Sequence, residues 1–315
     1  MNTIPTVDLS DFLSGDANRK QKFVNEIGKA YREVGFVAIQ NHGIDMQLVH
    51  NFYESVKDFF HLPLEIKSKY EIAGLAGQRG YTSFGKEHAK HSKAGDLKEF
   101  WQLGQYVGDN DPLKKEYPDN ISITEIPEFN ELGKNLYKNF EKSGSAILAS
   151  LALFLNLPED FFNDKILKGN SILRAIYYPP IIEEPASAIR AEQHEDINLI
   201  TLLVGASADG LEVLRNDGAW IPVKTAPEEI VVNVGDMLQR FTNDVLKSTT
   251  HRVVNPPRDK WHTFRLSIPF FLHPVSSMDL SCLQNCVTEN NQLHYEPITA
   301  GEYLDERLRE IGLKK

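Results

Sequence analysis

The sequence predicts a mainly β protein with helical additions, built as a double-stranded β-helix (jelly-roll) core flanked by N-terminal helices and a C-terminal helix. Three observations predict it. From Ser171 onward the chain breaks into eight short β-prone runs separated by turn residues. Before Ser171 it carries long segments whose apolar residues recur at helical spacing. Two residue types that ligate metals, His194 and Asp196, stand at the entrance to one of the β runs, as a site inside a small jelly roll requires.

Ile4 to Leu9 reads as a short strand, followed by the turn residues Ser14, Gly15 and Asp16. A helix then runs from about Ala17 to Val34, with Phe23, Ile27, Ala30, Tyr31 and Val34 on one face, and Gly35 ends it. Phe36 to Gln40 forms a strand. Asp45 caps a second helix that buries Leu48, Val49, Phe52, Val56, Phe59 and Phe60, and Pro63 opens a short third helix through Lys69. Ala73 to Gly108 is glycine-rich, has no sustained period and reads as connecting loop; it contains Gln78-Arg79-Gly80-Tyr81 and Lys98-Glu99-Phe100-Trp101. His88 and His91 lie in it at helical spacing without an evident carboxylate partner, which reads as a solvated helix face. Pro127 opens a long helix to about Leu155, buried through Leu132, Leu136, Phe140, Ile147, Leu148, Leu151 and Leu155. Pro158 to Ile166 adds another helical turn or two.

The eight β runs are Leu173–Tyr178, Ala188–His194, Leu199–Val204, Leu211–Leu214, Trp220–Val223, Ile230–Val234, Ser248–Val254 and Thr263–Phe271, with Asp217-Gly218 as a hairpin turn between two of them. Asn233 to Asp236 reads as a turn at the rim, which explains Asp236 better than metal ligation does. Thr299 and Glu302 form a capping box for a last helix to about Ile311. The chain is expected to be one domain, with a helical and strand region at 1–170, a β-helix core at 171–274 and a C-terminal extension at 275–315.

With 41% hydrophobic residues in 315, the chain can bury a large core. Its formal charge of −10 argues against nucleic acid or an anionic membrane as principal partner and leaves the oligomeric state open. Cys282 and Cys286 are the only two cysteines, too few for a disulfide framework or a zinc site, which indicates a reducing compartment. Met1 to Asp8 lacks the basic and apolar regions of a signal peptide, so a cytoplasmic location is expected. No phosphate-binding glycine motif is present.

Residues i and i+2 of a strand share a face, so His194 and Asp196 converge as two-thirds of a 2-His-1-carboxylate iron site. His251, in the β-prone run Thr249–Val254, supplies a second imidazole. Further on, Arg265 and Ser267 share one strand face opposite Leu266 and Ile268; a guanidinium fork beside a hydroxyl suits a carboxylate. His294-Tyr295-Glu296 has the same His-x-carboxylate spacing, but Pro297 follows it and no β-prone partner strand comes after.

Together with Ile4–Asp8, Gly35–Gly43, Phe59–Glu65, Tyr177–Pro179 and Asn233–Asp236, the ordered set His194-x-Asp196, His251 and Arg265-x-Ser267 resembles the isopenicillin N synthase-like branch of the Fe(II)/2-oxoglutarate-dependent oxygenases. The resemblance covers nearly the whole chain. It implies that His194, Asp196 and His251 bind Fe(II), and that Arg265 and Ser267 hold the distal carboxylate of 2-oxoglutarate. It places Tyr178 against the co-substrate or substrate, and Arg79, with Tyr81 behind it, in contact with the substrate. The implied reaction uses O2 and 2-oxoglutarate to oxidise a C–H bond of a small molecule, hydroxylation foremost, and releases succinate and CO2. The chain departs from the family at Ile176, where plant members have Asn, and near Ile172, where the isopenicillin N synthases have a hydroxyl-bearing residue. Readings carried beside this one are an Fe(II) oxidase that dispenses with 2-oxoglutarate, a non-enzymatic binding protein on the same fold and a zinc hydrolase.

Overall fold

In the computed structural model, which describes residues 3–75, 77–87, 95–185, 187–205, 209–215 and 217–310, the strands form two sheets. The first part of the chain supplies β1 (Thr6–Asp8), α1 (Leu9–Leu13), α2 (Ala17–Glu33), β2 (Phe36–Gln40), α3 (Met46–Phe60), α4 (Leu64–Lys67), β3 (Gly80–Thr82), β4 (Glu99–Gly104), α5 (Pro127–Phe154) and α6 (Asn163–Ile166). The second part supplies β5 (Ile172–Tyr178), β6 (Ala191–His194), β7 (Ile200–Val204), β8 (Leu211–Leu214), β9 (Trp220–Pro222), β10 (Ile230–Val234), α7 (Asp236–Phe241), β11 (His251–Val253), β12 (Arg265–Leu272) and α8 (Ala300–Glu310).

The large sheet has the order β1-β2-β10-β7-β12-β5-β4-β3 and the small one β6-β11-β8-β9. All eight predicted β runs are strands. They divide equally between the sheets, β5, β7, β10 and β12 in the large one and β6, β11 and the β8–β9 hairpin in the small one, which is the jelly-roll arrangement. The large sheet is open, with β1 and β3 at its edges. The N-terminal region shares this sheet, since β2 pairs with β10 and β4 pairs with β5.

The two inner faces pack on each other in two apolar clusters. Phe36, Ala38 and Val231 meet Val213 and Ile221; Phe100, Ile176 and Tyr178 meet Ala191 and Val253. The outer face of the large sheet is covered by α2, α3 and α5 in the main core. Leu136, Phe140, Ile147, Leu148 and Leu151 of α5 are fully buried, each contributing about 1.5–3 kcal/mol of transfer free energy. Gly144 lets α5 approach this closely: a Cβ there would stand 2.3 Å from Leu272 Cδ1. Gly35, at φ 75°, ends α2 and turns the chain into β2.

Three elements differ from the sequence expectation. The first strand stops at Asp8, whose carboxylate accepts from the Ser10 N–H at 2.8 Å and caps α1, so Leu9 is helical. Within the stretch expected to be loop, β3 and β4 extend the large sheet. All six residues of β4 are buried, because Phe100 and Gln102 face the cavity between the sheets while Trp101 and Leu103 enter the helical core; burial on both faces erases the polar alternation that marks a strand. The expected rim turn at Asn233–Asp236 is instead the end of β10 and the start of α7. His88 and His91 lie outside the described residues. No helix among the described residues is long and apolar enough to cross a membrane.

Candidate active site

A cavity of about 310 Å³ lies between the sheets, lined on one side by the inner faces of β4, β5, β7 and β12 and on the other by β6, β8 and β11. His194 ends β6 and His251 begins β11; the two are directly paired across the antiparallel ladder, with ring centroids 4.4 Å apart. Asp196 reaches the same point from the turn after β6 rather than from the strand itself. Potential ligand atoms of His194, Asp196 and His251 all lie within 4.8 Å of one another, the only such group of three or more His, Cys, Asp or Glu among the described residues.

The surroundings of each side chain fix which atom faces that point. His194 Nδ1 lies 2.6 Å from the Glu192 carbonyl oxygen and His251 Nδ1 lies 3.1 Å from that of Thr249, so in both rings Nδ1 carries the proton and Nε2 is the free donor atom. The Asp196 Oδ2 accepts from Thr201 Oγ1 at 2.6 Å and from Asn233 Nδ2 at 2.8 Å, which leaves Oδ1, 3.8 Å from His251 Nε2, toward the imidazoles. Burial, reinforced by His251, pushes the His194 pKa down to about 4, so the ring is neutral near pH 7. Burial opposes ionisation of Asp196, yet the adjoining imidazoles and the Asn233 and Thr201 hydrogen bonds hold its carboxyl below its ordinary value. Two imidazole Nε2 atoms and one carboxylate oxygen on one face are the donor set that suits non-haem Fe(II) with open positions.

Arg265 and Ser267 lie on the inner face of β12 and line the same cavity, with Arg265 opposite Tyr178 and Ser267 opposite Ile176 on β5. The guanidinium carbon of Arg265 stands 5.0 Å from the Tyr178 ring centroid. Ile172 and Ile176, the apolar departures from the family, also line the cavity.

Arg79 and Tyr81, expected in contact with the substrate, are not among the residues that line the cavity. Tyr81 pairs with Trp101 across β3 and β4 and turns into the helical core, where its hydroxyl donates to Glu99, itself bridged to Lys67 at 2.8 Å. Arg79 is 1% exposed and its guanidinium lies against Gly104, where a Cβ would stand 1.8 Å from Arg79 Cζ. The competing pair at His294 is spent elsewhere, with His294 Nδ1 2.5 Å from Asp244 Oδ2. Asp236 is buried rather than at an exposed turn; its N–H donates to the Asp196 carbonyl at 2.7 Å and its carboxylate lies 3.4 Å from Arg307 of α8.

Several cavity residues had no sequence signal: Asn170, Arg174 and His273 on the β5 and β12 ends remote from Arg265, and Glu87 and Asp96 beside Lys98. Thr201 and Asn233, polar residues inside β-branched runs, were the visible hint of a support behind Asp196.

Two family profiles match the sequence. One, described as non-haem dioxygenase in morphine synthesis N-terminal, covers residues 4–125; the other, the 2OG-Fe(II) oxygenase superfamily, covers residues 169–274. The chain belongs to the 2OG-Fe(II) oxygenase superfamily. A 2OG-Fe(II) oxygenase family protein from Caulobacter crescentus is 42% identical, with 99% of this chain and 100% of that one covered at a TM-score of 0.89. A Neurospora crassa protein solved at full length in complex with alpha-KG and thymine is 28% identical over 97% of this chain and 96% of that one, at a TM-score of 0.86. The proline hydroxylase buaE of Petromyces alliaceus is 31% identical, covering 97% of this chain and 98% of that protein. The protein is therefore an Fe(II)/2-oxoglutarate-dependent dioxygenase, an oxidoreductase with Fe(II), 2-oxoglutarate and O2 as its cofactor and co-substrates. The matches favour this over an oxidase that dispenses with 2-oxoglutarate.

Proposed function

We propose that His194, Asp196 and His251 hold Fe(II) through two Nε2 atoms and Oδ1. Arg265 and Ser267 then hold the distal carboxylate of 2-oxoglutarate beside the Tyr178 ring. The observation that carries this is the convergence of those three ligand atoms in the cavity that Arg265 and Ser267 also line. When bound, the metal and 2-oxoglutarate supply the oxidising chemistry, which ends in succinate, CO2 and a hydroxylated small molecule. The protein's residues do the rest. Glu192 and Thr249 carbonyls keep both imidazoles in the ligating tautomer, and Thr201 and Asn233 fix the Asp196 carboxylate. Arg265, 1% exposed, orients the co-substrate with a bidentate fork, and the apolar walls Ile176 and Val253 exclude water.

The whole chain works as a single oxygenase domain, since the N-terminal strands belong to the sheet that carries Arg265. Free Cys282 and Cys286 fit a cytoplasmic enzyme. The prime substrate is a small molecule, as for the thymine-bound relative. The test is succinate release by Fe(II)-loaded protein given O2 and 2-oxoglutarate, with Arg265→Ala in parallel and with 2-oxoglutarate binding measured anaerobically. Binding and turnover that depend on Arg265 are expected; unchanged 2-oxoglutarate affinity in Arg265→Ala overturns the assignment.

A further inference from the structure

β5 and β12 run the length of the cavity, with Arg265 opposite Tyr178 at one end and Phe271 opposite Ile172 at the other. The wall that β4 and β5 present to the cavity carries the cations Arg174 and Lys98, and each is already matched. Arg174 Nη1 lies 3.2 Å from Glu87, and its Nε donates to Gln102 Oε1 at 2.9 Å. Lys98 Nζ lies 2.8 Å from both Glu87 and Asp96. The guanidinium carbon of Arg174 stands 4.3 Å from the Phe100 ring centroid and 5.3 Å from that of Phe271, so this wall presents flat faces. A substrate carboxylate at this wall would meet two cations whose charge Glu87 and Asp96 already offset, so it gains less there than beside a cation without a carboxylate.

Beside this wall are two uncharged hydrogen-bonding groups. Asn170 lines the cavity and its backbone N–H donates to the Pro274 carbonyl at 3.1 Å, which sets it next to His273. His273 lines the cavity too, is 8% exposed, and its Nδ1 has no hydrogen-bond partner among the described residues. Burial keeps this imidazole neutral, with a pKa of about 4. A carboxamide and a neutral imidazole each offer one kind of donor and one kind of acceptor, the complement of adjoining N–H and C=O groups in an amide. The cavity, about 310 Å³, is at the lower end of the ~300–1,000 Å³ typical of ligand sites and must hold 2-oxoglutarate as well. The second occupant is therefore small.

We propose that the end of the cavity remote from Arg265 selects a small, flat, uncharged cyclic amide or imide and discriminates against carboxylates, with His273 and Asn170 as the specificity-determining residues. The proposal rests on the assignment of Arg265 to 2-oxoglutarate and deepens it by naming the substrate class.

The test uses the protein loaded anaerobically with Fe(II) and 2-oxoglutarate and titrates it calorimetrically with matched pairs: thymine and uracil-5-carboxylate, uracil and orotate, 2-pyrrolidinone and pyroglutamate. Succinate release under O2 is read for the same compounds. At least one uncharged member is expected to bind, with its carboxylate partner weaker by about tenfold or more. His273→Ala should weaken that binding by about tenfold and leave 2-oxoglutarate binding unchanged; His273→Asn, which keeps a polar group, serves if the alanine variant does not fold. Glu87→Gln, which releases Arg174 and Lys98 from one carboxylate, should narrow the gap between pair members. Tighter binding of the carboxylates overturns the proposal. So does failure of every uncharged member while 2-oxoglutarate binds normally, or an unchanged profile in the His273 variant. Loss of 2-oxoglutarate binding to the parent protein would instead count against the Arg265 assignment, so the two failures are separable.

Discussion

The two sheets contribute to the active site in different ways. The small sheet brings the imidazoles: His194 and His251 face each other across a ladder of strands only three and four residues long, and Asp196 hangs from the turn beyond. The large sheet brings the groups suited to organic molecules: Arg265 and Ser267 at one end of β12, Arg174 and Phe271 toward the other, backed by α2, α3 and α5. A metal site needs three atoms at one point, which two short paired strands and a turn can supply. Holding two organic molecules in line past that point needs a long, stiff surface, which the helix-backed sheet provides.

This division predicts separable losses. The largest is at the metal. Asp196→Ala removes the only anionic ligand of the three, and Fe(II) affinity should fall by more than about 100-fold, beyond the ~10–100-fold of an outer-shell change. Equilibrium dialysis of iron measures it, and an Asp196→Ala protein that retains stoichiometric iron would break the comparison at its base. Next comes Arg265→Ala, which strips the buried cation from the co-substrate end. Loss of about 2–5 kcal/mol corresponds to roughly 30-fold to several-thousand-fold weaker 2-oxoglutarate binding. Iron binding should persist, and if it vanished as well the two sheets would not be acting independently.

How much of this was legible in the sequence follows the same division. The β runs were readable because turn residues such as Asp217-Gly218 punctuate them and their inner residues are apolar or β-branched. The His194, Asp196 and His251 set was readable because it stands in order with Arg265-x-Ser267, each on a β-prone run, whereas His-x-Asp alone is a weak motif. β4 was not, since burial on both faces removes its alternation. Arg79 drew its expected substrate contact from resemblance alone, and no local pattern told that Gly104 gives its guanidinium a buried seat. The wall formed by Glu87, Lys98 and Arg174 was invisible as well. Its contacts join residues up to 87 apart, and no local pattern records a pairing made across β4 and β5.

A smaller effect sharpens the comparison where one sheet supports the other. Thr201 belongs to β7 of the large sheet, yet its hydroxyl donates to Asp196 at 2.6 Å. Thr201→Val keeps the shape and removes that bond, so Fe(II) affinity should drop by about tenfold, with 2-oxoglutarate affinity of the iron-loaded protein nearly unchanged. The same dialysis, followed by co-substrate titration at saturating iron, distinguishes this from a general loosening of β7, which would weaken both.

The smallest effect is on stability and concerns His273. In the folded protein burial lowers its pKa to about 4, against about 6.5 in the unfolded chain. Between those values the unfolded state binds a proton that the folded state refuses, so folding stability declines as pH falls from about 6.5 toward 4 and the decline ends below 4. The contribution is about 1–3 kcal/mol over that window. Urea denaturation at pH 7 and pH 5 of metal-free protein measures it, with His273→Asn as the comparison, because asparagine is polar but does not titrate. The parent should lose more stability than the variant between the two pH values. Equal losses would mean that the imidazole is hydrated and able to take a proton in place, and the cavity end beside Arg174 would then accept charge as readily as the end beside Arg265.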